Sequence, residues 1–368
     1  MDTPQSFDVI ILGGGLVGAT LALALDAHGL TSVVVDPADP AVTLAPGFDG
    51  RASAIASASG RMLDAIGLGP ALAGLGCPIR AIRVSDGLAP GALDFVPDAG
   101  DGALGVMYEN RALRRLLFEG AQGAAGVDLR MRTRAVAVDR AGAAVTATLS
   151  DGTTVRAPLL VAAEGRNSPT REAAGIPVAR WRYDHAAIVW TVDAADGPAM
   201  LKLSDRGFLA EAEKRMGGFL GALSGASPRA TYPLGFHHAA RITAERLALI
   251  GDAAHGIHPI AGQGLNLGLR DVAALTEVLV DARRTGQDLG DAQVLARYQR
   301  WRGLDVFAVA WATDTLTRLF GVRGGAASAV RRFGISAVNA IPPLKDRFMA
   351  EARGETGALP KLLQGLRV

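Results

Sequence analysis

Residues 7–36 follow a pattern that few folds accommodate. A short apolar run, FDVIIL, leads into a glycine cluster, GGGLVG at 13–18. A helix-forming stretch then closes on Gly29, and a second apolar run, TSVVVD, ends on Asp36. Continuous Val/Ile/Leu runs suit strands of a parallel sheet buried on both faces, and Gly29 suits the position just past a helix C-terminus. The pattern predicts a β–turn–α–β crossover with GxGxxG in its first turn. In such a unit Gly13 permits the tight turn, Gly15 lets backbone approach a pyrophosphate, and Gly18 lets helix and strand pack closely. The helix start, at Leu16 and Val17, offers free N–H groups and the positive end of the helix dipole to phosphate. Asp36, about 20 residues further on, is placed to accept ribose hydroxyls. An adenine dinucleotide site is expected, with the choice between FAD and NAD left open by this unit alone.

Two later segments bear on that choice. In LLVAAEGRNSPTRE (159–172) a buried strand ends at the turn Glu164-Gly165, and Ser168-Pro169 supplies an N-cap and a proline at the first helical position. In RLALIGDAAHGIHPIAGQGLNLGLRDVAAL (246–275) a strand is terminated by Gly251-Asp252, a glycine-rich loop runs to Gly264, and Leu265, Leu269, Val272, Leu275 and Leu279 mark one helical face. An acid at the end of a strand, followed by a glycine loop feeding a helix, suits a second polar contact to a long cofactor. Asp252 is placed for a ribityl or ribose hydroxyl, and the N–H groups of 262–266 for a flavin pyrimidine or a phosphate.

Composition narrows the alternatives. A chain of 368 residues, 49% hydrophobic, suggests two domains or two joined lobes with ample core. A net charge of +2 argues against a nucleic-acid binder. The lone cysteine, Cys77, excludes an intramolecular disulfide framework and a cysteine-cluster zinc or iron–sulfur site, and is read as a small apolar residue in a reducing compartment. No signal-peptide core or spanning segment is evident, so a cytoplasmic protein is expected. Charge is uneven, however: from Arg318 onward there are nine basic and three acidic residues, interleaved with Phe320, Phe333 and Phe348. Such a tail suits either an anionic membrane surface or an ordinary solvated helix face.

The chain resembles the FAD-dependent aromatic hydroxylases, the class A flavoprotein monooxygenases with the p-hydroxybenzoate-hydroxylase fold, and within them the ubiquinone-biosynthesis hydroxylases. The resemblance is carried by GGGLVG, RASAIA at 51–56, NRALRRLL at 110–117, AEGRNSPTRE at 163–172, TYPL at 231–234, the 246–275 block, RYQRWRGLD at 297–305 and AVNAIPPLKDRFM at 337–349. It implies an α/β fold: an FAD-binding Rossmann-like domain of the glutathione-reductase type (1–75, 98–175 and 240–290), an interleaved and shortened β-sheet substrate lobe (76–97 and 176–239), and a C-terminal helical region (291–368). Position by position, it gives Gly13, Gly15 and Gly18 the FAD diphosphate, with Leu16 and Val17 beside them, and Asp36 the adenosine ribose. Arg51 falls in a segment bordering the isoalloxazine and Arg111 near the diphosphate. Gly251 and Asp252 meet the ribityl–pyrophosphate segment, while Pro259, Gly262, Gln263, Gly264, Leu265 and Asn266 line the flavin. Glu164, with Gly165, stands where many relatives carry Asp in their second fingerprint.

The implied activity is hydroxylation of a polyprenylated phenol on the way to ubiquinone, through a flavin C4a-hydroperoxide, with NAD(P)H as electron donor and O₂ as co-substrate. The implied partners are the phenol or quinone-type substrate, a biosynthetic protein assembly, and the inner face of a membrane met peripherally through the basic C-terminal region. No nucleic acid is implied. Arg51, Tyr232 and His255 are the candidates for lining the active site.

One feature of the chain departs from the family. Only about 85 residues separate the two later fingerprints, and strand candidates there are few at about 5–6 residues each: 186–192, 198–203 and 229–234. Helices are expected near 168–174 and 208–223, and 79–97 adds a hairpin to the same lobe. The shortage supports one other reading, a non-catalytic or partner-dependent FAD- or lipid-binding subunit; a flavin reductase or dehydrogenase of the same fold is a further alternative. Several residues invite over-reading. His255 and His258 lack a third ligand, so no metal site is expected. His237-His238 is read as surface, and Trp181 and Trp190 as lobe core.

Overall fold

Four parallel strands flank the first strand of the N-terminal crossover. In the computed structural model, which describes residues 4–45, 51–87, 92–98, 100, 102–188, 191–193, 203–216, 231–256, 263–322 and 324–368, Val9–Leu12 lies at the middle of a six-stranded sheet. Ser32–Asp36 and then Val127–Met131 lie parallel on one side, Leu159–Ala162 and then Leu247–Leu249 parallel on the other, and Thr243–Ala244 closes the edge antiparallel. Burial on both faces explains why these strands read as unbroken apolar runs rather than alternating ones. The helix Leu16–Asp26 packs on Asn110–Gly123 and on Gln263–Arg284. A second sheet, in the order Gln5–Ser6, Thr154–Ala157, Val145–Leu149 and Ala135–Asp139, adds Val145, Ala147, Leu149 and Val155 to the same core.

The glycines at the crossover are dictated by close approach. Gly13 sits at φ +105°, and a Cβ there would lie 2.4 Å from the carbonyl oxygen of Ala163. A Cβ on Gly18 would lie 1.9 Å from the carbonyl oxygen of Gly13. The first turn of the helix, the glycine loop and the end of strand Leu159–Ala162 are therefore in backbone contact.

The region over this platform differs from the sequence expectation in several places. The apolar stretch 186–192 is two antiparallel pieces: Val178–Ile188 pairs back on Thr191–Asp193, with His185 opposite Asp193. Val178–Ile188 also pairs with Thr231–Ala239, longer than expected, and that strand pairs with a two-residue strand at His255–Gly256. The expected helix at 208–223 occurs as Asp205–Met216. Of it, 217–223 lies outside the described residues, as do 198–202 of the expected strand and Trp190. Trp181 stacks on Phe236 with ring centroids 4.0 Å apart, and the Arg318 guanidinium carbon lies 5.6 Å from the Trp181 ring centroid.

Residues 76–97, grouped above with the substrate lobe, part company. Cys77–Ile79 joins Gly105–Glu109 and Ala52–Ala56 in a three-stranded sheet, with Cys77 exposed. The hairpin of Ile82–Ser85 and Ala92–Phe95 instead packs Leu93 and Phe95 against Ile335 of a C-terminal helix, Gly325–Ala340. Its apolar face had a partner far away in sequence, which local pattern does not reveal. The C-terminal region is helical as expected, over Ala292–Gly321, Gly325–Ala340 and Pro342–Arg353.

Replacing Gly18 by alanine should destabilise the chain by about 1–3 kcal/mol, the usual range for overpacking. Urea unfolding followed by circular dichroism checks this; an unchanged midpoint would show that the helix–loop contact is looser than described.

Candidate functional site

Gly13, Asp36, Glu164 and Gly251 all lie at the C-terminal ends of central parallel strands, where open α/β sheets bind ligands. Gly15 is the N-cap of helix Leu16–Asp26, with φ −68° and ψ −172°, no capping side chain and no acid in the first turn. A Cβ on Gly15 would have nothing within 4 Å. The helix start thus faces open space with uncapped N–H donors, as an anion site requires. Asp36 is held beside it: Gly14 N–H donates to one carboxylate oxygen at 2.6 Å, and Ala38 N–H to the other at 2.7 Å. Each oxygen keeps further acceptor capacity for hydroxyl groups. Arg111, in the first turn of helix Asn110–Gly123, has its Nε buried without a hydrogen-bond partner, and its Nη2 3.6 Å from Glu109. An orphaned guanidinium nitrogen and an uncapped helix start are each donors that a diphosphate satisfies. The residues present fit FAD.

The second acidic contact is built differently. Gly251–Ala253 forms a short 3-10 turn with Asp252 exposed, while the backbone around it is locked. Gly251 N–H donates to Asp271 Oδ2 at 2.9 Å. The Asp252 carbonyl oxygen accepts from His237 Nε2 at 2.6 Å, and the Ala253 carbonyl from Arg171 at 3.0 Å. Val17 fills the notch between Gly251 and Gly268, where an added Cβ would lie 3.2 and 2.7 Å from it. The first fingerprint is thereby packed directly on the third.

Asp271 itself is fully buried and meets Arg302 Nε at 2.7 Å and His255 Nε2 at 2.7 Å. Arg302 also bonds Asp305, which pairs with Arg270 at 2.9 Å. His255 therefore faces this internal network. Glu164 Oε2 accepts from Ser168 Oγ at 2.5 Å and Thr170 N–H at 3.2 Å, capping helix Pro169–Ala173; Gly165 turns the chain at φ +79°. Here the extra methylene relative to aspartate reaches a helix start.

Asn266 is the other residue whose role the sequence obscured. Its amide nitrogen donates to the Ala54 carbonyl at 2.7 Å and its oxygen accepts from Ala56 N–H at 2.9 Å. It ties the start of helix Gln263–Arg284, with Gln263, Gly264 and Leu265, to the strand Ala52–Ala56. Ser53 Oγ bonds Asn110 at 2.6 Å, and Asn110 N–H donates to the carbonyl of the exposed Arg51 at 3.1 Å. Pro259 and Gly262 lie outside the described residues, as does the Tyr232 side chain, whose backbone pairs with Ala187. Beside strand Ala52–Ala56 lies a cavity of about 430 Å³ lined by Ile55, Ala56, Leu63, Leu72, Val106 and Tyr108 among others, into which Gly60 opens.

The expectation that His237 lies at the surface is overturned. It is 1% exposed, under the Asp252 turn and against Gly256, where a Cβ would touch its ring. Burial pushes its pKa down to about 4, and that of His238 in the same direction. Sequence reasoning also missed Arg171, Asp271 and Arg302. The available signal was charge inside otherwise apolar helical runs, which demands a buried partner.

Among the described residues no cluster of three or more metal-ligating side chains occurs, and no helix is long and apolar enough to cross a membrane.

The chain matches the FAD binding domain family over residues 6–207 and 225–310. It is 41% identical to the ubiquinone hydroxylase UbiL of Rhodospirillum rubrum, across 98% of this chain and 93% of that protein. It is 32% identical to the 3-demethoxyubiquinol 3-hydroxylase of Escherichia coli, across 96% of this chain and all (100%) of that one. The UbiL alignment takes 398 positions for a chain of 368, so the relative carries segments absent here. Among solved structures, the fold is shared with p-nitrophenol 4-monooxygenase PnpA from Pseudomonas putida, at TM-score 0.75 and 18% identity over 96% of this chain and 100% of that one. It is also shared with the Diels-Alderase PyrE3, at TM-score 0.74 and 23% identity over 96% and 82%.

Two outcomes follow from the geometry. Gly15→Val should leave the urea midpoint nearly unchanged, because its backbone angles suit any residue, yet weaken FAD retention at least ~10-fold by blocking the helix start; flavin released on dilution measures this. His237 stays neutral in the folded chain down to pH about 4, whereas the unfolded chain protonates near 6.5. The unfolded state therefore binds more protons between those values, and stability should fall as pH drops through this window. His237→Gln should flatten that slope in thermal melts.

Proposed function

The chain belongs to the FAD binding domain family, and on that premise we propose that it is an FAD-dependent monooxygenase that hydroxylates the aromatic ring of a polyprenylated phenol in ubiquinone biosynthesis. The observation that carries this reading is the meeting of the GGGLVG, AEG, GDAA and QGLN segments at one end of one sheet, in a chain 41% identical to a ubiquinone hydroxylase.

In this reading the N–H groups of Leu16 and Val17, together with Arg111, receive the FAD diphosphate. Gly13 and Gly18 shape that loop, and Asp36 accepts the adenosine ribose hydroxyls. Asp252 accepts ribityl hydroxyls from its pinned turn. Gln263, Gly264 and Leu265 border the flavin with Pro259 and Gly262, and Asn266 fixes the RASAIA strand alongside. Bound flavin supplies oxygen activation, with NAD(P)H as donor and O₂ as co-substrate, chemistry that no side chain here provides. The chain's own part is to orient the ring, exclude water and hold the cofactor in place. The apolar cavity beside Ala52–Ala56 suits the isoprenoid tail. A place in a biosynthetic assembly, and a cytoplasmic location with peripheral attachment to the membrane, belong to the same proposal.

A second reading, a partner-dependent FAD-binding subunit, is favoured by the segments this chain lacks relative to UbiL. One experiment separates the two. Aerobically purified protein should show a flavin spectrum and consume O₂ with NADPH in the presence of a prenylated phenol, yielding hydroxylated product. Asp252→Ala should cut turnover at least ~10-fold through lost cofactor binding. Bound flavin giving only hydrogen peroxide would favour the second reading, and absence of flavin would overturn both. Gly60→Phe should raise KM several-fold for long-tailed phenols while sparing tail-less ones; an equal effect on both would remove the tail from that cavity.

A further inference from the structure

A void of about 10 Å³ lies among the helices Leu16–Asp26, Ser57–Ala65, Asn110–Gly123 and Gln263–Arg284, lined by leucines together with Ile55 and Thr20. Native interiors hold few voids as large as a water molecule, and this one lies directly behind two helix starts at the cofactor end. Its lining decides what it can hold. Thr20 is the one polar side chain there, and its hydroxyl donates to the Leu16 carbonyl at 2.6 Å, inside the helix turn. A buried water needs several polar partners and would find one at most. Apolar voids stay dry and take up apolar molecules of matching size. The volume admits about one water-sized molecule, which excludes an isoprenoid unit or an aromatic ring and leaves a diatomic gas.

Position selects the gas. Among the residues lining the void, Leu16 and Leu265 are partly buried and all the others are buried. These two stand at the starts of the helices that the proposed function sets against the FAD diphosphate and the flavin. The less covered end of the void is therefore its cofactor end. At the other end Ile55, Leu63 and Leu72 also line the cavity of about 430 Å³, which gives an apolar molecule a way inward. We propose that the leucine void is a dioxygen site, from which O₂ reaches the flavin past Leu16 and Leu265. The proposal rests on the proposed function for the identity of the reactant, since O₂ is the small apolar molecule that a flavin monooxygenase consumes. Occupancy is weak, because a diatomic molecule removes little apolar area from water, so it is read under raised O₂ pressure.

Dioxygen is paramagnetic and speeds the nuclear relaxation of the methyl groups it touches. The test takes the full chain loaded with oxidised FAD, isotope-labelled at its leucine methyls, under pressurised O₂ with N₂ as the control. Methyls of Leu63, Leu117 and Leu269 should relax several-fold faster under O₂ than those of Leu25 and Leu160, which are at least as buried in the same core. Equal relaxation at both sets would overturn the site and leave a packing defect. Leu117→Phe should fill the void, abolish that enhancement, and slow reoxidation of the reduced flavin by O₂ several-fold while reduction by NADPH stays unchanged. Leu113→Phe, one turn earlier on the same helix, fills the void if the first variant loses flavin absorbance or melts early. A filled void with unchanged reoxidation would take the site off the oxygen route and overturn the proposal. Hydroxylation of a water-soluble, tail-less phenol is measured in parallel. Enhanced relaxation at the void without hydroxylation would sink the functional reading alone, and hydroxylation without enhanced relaxation would sink the dioxygen site alone.

Discussion

A single carboxylate, Asp271, holds the second half of the site in place. It sits in the middle of helix Gln263–Arg284 with no exposure to solvent, a position costly for any charge. Burial pushes its pKa up, but the neighbouring His255 and Arg302, the latter donating a hydrogen bond, outweigh that and hold it below the ordinary carboxylate value. The Gly251 N–H completes the set of donors. Removing any one donor would leave part of a charge unpaired in a dry interior, so the four groups specify one another. Around them, Arg302 reaches Asp305, Arg270 reaches both Asp305 and the Thr356 carbonyl, and the buried Tyr298 hydroxyl donates to Leu249 at the end of the last central strand. The exposed Asp252 carboxylate is aimed by this interior.

The division between what the sequence revealed and what it hid follows contact range. The crossover was legible because its glycines, apolar runs and acid act over a few residues, where spacing is geometry. The helix caps at Ser168 and Gly29 were legible for the same reason. Asn266, Asp271, Arg302 and His237 were not, because each acts on a partner decided by tertiary packing: the strand at 52–56, the turn at 251, the carbonyl of 252. The chain reversal between Ile188 and Thr191 was hidden by a different cause. IVWT carries no glycine, proline or asparagine, so nothing local contradicted a continuous strand. The hairpin at 82–95 was visible as a hairpin, but its partner helix begins more than two hundred residues later.

The platform does not by itself select a reaction. The same architecture appears in a nitrophenol monooxygenase and in a Diels-Alderase, so the chemistry must lie in what is built over the sheet. Among the described residues, the sheet of that superstructure consists of Thr191–Asp193, Val178–Ile188, Thr231–Ala239 and the two residues His255–Gly256. The last of these follows directly on the Gly251–Ala253 turn, so the roof sheet and the turn that carries Asp252 are joined through a few residues of backbone.

That close joining restricts how the sequence can drift. The His237 ring occupies the space a side chain at 256 would need, and Val17 occupies the space beside Gly251 and Gly268. Positions 237 and 256, and positions 17, 251 and 268, thus behave as shared volumes rather than independent sites. A lineage that enlarged one member would have to shrink another before or with it, so these residues should travel as linked sets through the history of such chains, although more than two hundred positions separate Val17 from its glycines.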